Sequence, residues 1–112
     1  MINWLTTFWL LLIAHAFTDY VWQTEQMGWR KDPLASVPET EKYGPWWWHM
    51  TAHSLINAGG VFVVTWRFPL SVGEFVVHSL TDYSKCHGWI STNVDQIIHL
   101  LSKGVWAWLS LL

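Results

Sequence analysis

Four times in this chain, a side chain of a metal-binding type is followed four residues later by another: His15 and Asp19, His49 and His53, His78 and Asp82, Asp95 and His99. On an α-helix that spacing puts both side chains on one face, one turn apart. The pairs take up five of the six histidines and three of the four aspartates. Imidazole and carboxylate together suit zinc, manganese or iron, and eight ligands exceed the needs of one tetrahedral ion. The expectation is two or more divalent ions, zinc foremost and manganese or iron as alternatives. Such a centre activates water and clamps a phosphoryl group.

Each residue alone has a plainer use. A lone histidine on an apolar helix is commonly a hydrogen-bonded core residue, Asp19 and Asp82 can bond the histidine one turn before, and Asp95 can close a capping box with Thr92. Four such pairs in one short chain make that coincidence a poor explanation. Lys85 is expected to stabilise charge developing on a phosphate, and Asp95 to serve as a general base, so these are the candidate catalytic groups. Gln23, Asn57, Glu74 and Gln96 share the stripes and are expected to orient the ligands. His87 falls off the stripes, in a turn.

Elements able to position these residues are all α. The pattern predicts four helices, at about 2–23, 45–66, 70–86 and 93–111, in one domain spanning 1–112, with a long polar loop over 24–44. Pro45 suits the first turn of the second helix, Gly59-Gly60 permits close helix approach, and Arg67-Phe68-Pro69 breaks the apolar run. Ser91, Thr92 or Asn93 can cap the fourth helix. The ligand pairs sit at the end, the start, the end and the start of successive helices. In an up-down-up-down bundle all four then lie at one end, beneath the long loop.

Composition says what surrounds such a bundle. Charged residues make up 12% of the 112, about half of the ~25% usual in soluble domains. Apolar residues make up 52%, and eleven tryptophans hold the mean hydropathy down to +0.20. Stripes turned inward leave Leu, Val, Ile, Phe and Trp outside, as in a bundle embedded in a bilayer, where ionisable residues face the interior. The helices are short for full spans of roughly 20 apolar residues, so tilt, shallow insertion or a homo-oligomer is expected. Arg30, Lys31, Lys42 and Lys85 lie at the ligand end, which places the site toward the cytoplasmic face of the inner membrane. Trp46-Trp47-Trp48 reads as an interfacial anchor. A net charge of −2 without a basic stripe excludes a nucleic-acid partner. The single cysteine, Cys86, excludes an internal disulfide. Ala14-His15-Ala16 imitates a signal-peptide cleavage site, but no Lys or Arg precedes the apolar run, so the segment is expected to be retained as a helix.

The series His15-x3-Asp19-x3-Gln23, His49-x3-His53, His78-x3-Asp82-x2-Lys85 and Asp95-Gln96-x2-His99 resembles the domain of unknown function 3307 family, short membrane proteins of bacteria and their phages. The resemblance covers nearly the whole chain and implies a shared site rather than a particular reaction. More distantly, His15, Asp19, His78 and Asp82 look like the paired His-x3-Asp motifs of zinc-dependent phospholipase C and the related single-strand nucleases, which implies phosphodiester cleavage by zinc. The expected function is a membrane-associated, metal-dependent hydrolase of a phosphoester, either a phospholipid or a lipid-linked phosphate. A membrane ion or proton relay is one alternative, distinguished by flux without tightly bound metal. A non-catalytic phage or bacterial membrane protein that binds a host partner, with structural metals, is the other. It is distinguished by a closed coordination shell.

Overall fold

The computed structural model describes residues 3–21, 31–33 and 45–112, so Gln23 and most of the 24–44 loop lie outside the described residues. The described residues form four α-helices and no strand. Helix α1, Trp4–Ala16, is capped by Asn3, whose side chain accepts from the Thr6 N–H at 2.9 Å. It continues into a π-helical turn, Phe17–Val21. Helix α2, Trp46–Thr65, starts from Pro45 and ends on Trp66 in a left-handed conformation, φ 54°. Helix α3, Phe68–Cys86, begins two residues before Leu70 because Pro69 sits in its first turn, where no N–H is needed. Helix α4, Thr92–Ser110, is capped by Ser91, which accepts from the Val94 N–H at 3.1 Å. Thr92 is therefore already helical, no Thr92–Asp95 capping box forms, and Asp95 turns into the interior.

Each helix packs on its neighbours in sequence, and α1 also packs on α4. Every fourth residue of each helix points inward, giving stacked layers. Leu11, Val61 and Ala107 form a small apolar layer, with Phe8, Leu70, Val64 and Trp106 packed around it. Next come Asn57, Glu74 and Lys103, then the imidazoles of His15, His53, His78 and His99, then the carboxylates of Asp19, Asp82 and Asp95.

The usual distribution of side chains is inverted. Among the described residues fourteen polar or charged side chains are buried against five apolar ones. Large apolar groups such as Trp9, Val63, Leu80, Leu101 and Trp108 are exposed on all four helices. Among the described residues no helix is long and apolar enough to cross a membrane.

Candidate metal centre

The imidazole layer is continuous. His53 and His78 have ring centroids 4.9 Å apart, His78 and His99 stack at 4.3 Å, and His99 and His15 lie 5.4 Å apart. Asp19 meets this layer from the π turn. Its Oδ1 is 3.1 Å from His53 Nε2 and 3.7 Å from His78 Nε2, and its Oδ2 is 3.6 Å from His15 Nε2. A π turn admits one extra residue per turn and so re-aims the side chains beyond it. Thr18 fixes this one, donating to Asn57 Oδ1 at 2.7 Å, while Asn57 donates to the His53 carbonyl at 3.0 Å.

The interior carboxylates differ in what neutralises them. Glu74 takes the Lys103 ammonium on Oε1 at 2.6 Å and the Trp106 indole N–H on Oε2 at 2.7 Å. Asp82 takes Lys31 at 2.6 Å and Lys85 at 3.2 Å, and Asp95 has Lys85 at 3.7 Å. Asp19 is faced by imidazoles, and among the described residues no lysine or arginine pairs with it. Burial alone would raise the Asp19 pKa, but the bond from His53 and the charges of His78 and His15 hold it well below the usual carboxylate range.

Two groups of side chains have the spacing of a metal site among the described residues: Asp19 with His53 and His78, and Glu74 with His78 and His99. His78 belongs to both and is fully buried. Neither of its ring nitrogens makes a hydrogen bond, nor does Nδ1 of His15 or of His99. Buried polar atoms are nearly always satisfied, so nitrogens of this kind are open to a bound water or ion. Desolvation pulls the His78 pKa down to about 4, and burial also lowers that of His15. Both are then neutral at pH 7, the form that binds a metal.

Gln96 ties the layers together. Its amide nitrogen donates to Asp19 Oδ2 and to Asp95 Oδ2, each at 3.1 Å, while its oxygen accepts from the Tyr20 hydroxyl at 2.7 Å and faces His15 Nε2 at 3.4 Å. Asp95 in turn lies 3.3 Å from His99 Nε2. Lys85, half-buried, sits between Asp82 and Asp95; burial opposes its charge, but the two carboxylates outweigh this and raise its pKa. His49, one turn before His53, is partly buried and belongs to neither ligand group. His87 ends α3 and packs its ring on Tyr83 and Trp89. Burial, with Asp82 nearby, pushes the Cys86 thiol up to about 11, so the metal-free thiol is not a nucleophilic thiolate at neutral pH.

Sequence reasoning did not reach Lys31, Lys103, Trp106, Thr18 or Tyr20. Lys103 carried a signal: Asp95, His99 and Lys103 continue one four-residue series. Lys31 carried none, because it reaches Asp82 from the loop.

Buried histidines and carboxylates on facing helices, behind an apolar exterior, define a helical bundle built around a polar, ligand-rich interior. The chain belongs to the family described as protein of unknown function (DUF3307), whose model matches residues 7–103. No curated protein and no solved structure matches the chain.

Proposed function

We propose that the protein is a metal-dependent phosphoester hydrolase with a divalent ion, zinc by its donor chemistry, at Asp19, His53 and His78. The observation that carries this is the contrast among carboxylates: those with lysines are already neutralised, and Asp19 faces imidazoles, bonding His53 and lying beside His78, neither of whose ring nitrogens has a hydrogen bond. Two histidines and one carboxylate are the ligand set of catalytic zinc sites that keep a position for water. There the metal supplies a hydroxide at neutral pH and polarises a phosphoryl oxygen. Gln96 orients Asp19 from behind and holds Asp95, the candidate general base, at the same level. Lys85, more exposed than the Asp82 and Asp95 it pairs with, is the cation assigned to an entering phosphate.

The substrate class follows from the exterior. Apolar side chains exposed on every helix suit lipid surroundings, so the phosphoester is a phospholipid or a lipid-linked phosphate. Helices alternating in direction, seated in the inner membrane with the carboxylate layer at the cytoplasmic headgroups, complete the proposal. A contiguous row of four imidazoles also favours a proton relay, which would move protons across liposomes without tightly bound metal.

The test is metal content and turnover together. Detergent-purified protein should carry zinc, lose it in His78→Ala, and hydrolyse bis(4-nitrophenyl) phosphate only when metal-loaded. Folded protein that takes up no zinc, manganese or iron would overturn the proposal.

A further inference from the structure

The second ligand group, Glu74 with His78 and His99, has the composition of a metal site and is deeper than the first. Its histidines leave ring nitrogens without hydrogen bonds: both on His78, and Nδ1 on His99, whose Nε2 faces Asp95. What distinguishes it is Lys103, one turn beyond His99 on α4 and itself buried. Its ammonium lies 2.6 Å from Glu74 Oε1, the oxygen that also faces His78 Nδ1 at 3.4 Å. The other oxygen is taken by Trp106. An ion bound by Glu74 would have to displace that ammonium or sit against it, two like charges in a buried site that screens them weakly.

We infer that Lys103 is the resident cation of this second site, and that it holds the centre to one metal ion per chain. The inference rests on the proposed ion at Asp19, His53 and His78. It changes the chemistry expected there: one ion acts as a Lewis acid and source of hydroxide, whereas two ions would clamp attacking and leaving oxygens between them. It also assigns the Lys103–Glu74 pair a positioning role. With Oε1 beside His78 Nδ1, Glu74 favours the tautomer that carries the proton on Nδ1 and leaves Nε2 for the ion, as carboxylates behind metal-bound histidines do.

The experiment is zinc stoichiometry, by elemental analysis and calorimetric titration, on the full chain in detergent. Wild type and Lys103→Arg should each bind one zinc, and Lys103→Met should bind two, the second zinc taking the place of the Nδ1 proton of His78, which leaves to solvent. Lys103→Met with Glu74→Gln should return to one. Lys103→Gln, which can still hydrogen-bond Glu74, is a second neutral variant if Lys103→Met folds poorly. Zinc should restore the fold of either, because the ion replaces the missing ammonium. In nitrogen NMR of wild type, His78 should show a protonated Nδ1, and Glu74→Gln should shift that signal.

Two zinc ions in wild type, one in both folded neutral variants, or neutral variants that stay unfolded in zinc would overturn the inference and leave the Asp19 site standing. No zinc in wild type but one in the neutral variants would sink the Asp19 site and support the role of Lys103. No zinc in any of them would overturn both.

Discussion

Asp19 Oδ1 lies 3.1 Å from His53 Nε2, joining the π turn after α1 to the middle of α2. An α-helical first segment would aim residue 19 differently, so the distortion and the contact belong together. Asp19→Asn keeps the shape and still offers an acceptor to His53, so the metal-free fold should persist. The charge that holds the ion is lost, and zinc affinity should fall by more than the roughly 10- to 100-fold typical of removing a residue behind a ligand. At a zinc concentration 100 times the wild-type Kd, wild type gains about 2.7 kcal/mol of stability. Asp19→Asn should gain almost none, as read by urea unfolding with and without zinc.

Metal-free protein should lose stability in acid earlier than carboxylates alone would dictate. His78 has its pKa lowered by burial to about 4, from 6.5. An unfolded chain therefore takes up that proton first as pH falls. Stability from this group is complete above pH 6.5 and is lost progressively down to about 4, by a total on the order of 3 kcal/mol. His15 shifts the same way. Glu74 is opposed by burial but held at about 2 by His78 and Lys103, so its contribution is complete above about 4.5 and goes only below that. The free energy of unfolding in chelator should fall from pH 7 to 5, and His78→Gln should flatten that slope.

Gly73 and Gly59 provide a matched pair. A Cβ on Gly73 would lie 2.8 Å from Cη2 of Trp106, a rigid indole tied to Glu74. Gly73→Ala should therefore push Trp106 off Glu74 and cost about 1–3 kcal/mol. A Cβ on Gly59 meets nothing within 4 Å. Gly59→Ala should stabilise α2 by up to ~1 kcal/mol, the usual gain over glycine inside a helix. Urea midpoints that move the same way in both variants would contradict this.

Spacing alone brought His15, Asp19, His53, His78, Asp82, Asp95 and His99 to one interior, because four-residue steps on packed helices leave little choice of face. The helix count came from the same stripes and from Pro45, Pro69 and the Ser91 cap. The neutralising lysines were less legible. Lys103 continues the four-residue series of Asp95 and His99, but that spacing does not by itself separate a buried ion pair from an exposed charge. Lys31 pairs with Asp82 but shares no helical spacing with any ligand pair. The π turn has no pattern of its own, since Phe17 to Val21 reads as ordinary helix. His49 has the same spacing and is partly buried, but it stands outside both ligand groups.

Gln96 separates ligand from support. Its amide nitrogen serves Asp19 and Asp95, so Gln96→Leu removes two hydrogen bonds from buried or half-buried carboxylates and leaves Asp19, His53 and His78 in place. Zinc should still bind one equivalent, about 10- to 100-fold more weakly. The Tyr20 hydroxyl acts one step further out, donating to the Gln96 oxygen from an exposed position, while its ring stands edge-on to His15 at 6.2 Å and is kept in Tyr20→Phe. Tyr20→Phe should weaken zinc binding less than Gln96→Leu, and the double variant should be no weaker than Gln96→Leu alone, because the tyrosine works through the glutamine. Calorimetric zinc titration of the three proteins measures this. Effects that add in full would show that Tyr20 reaches the centre by another route.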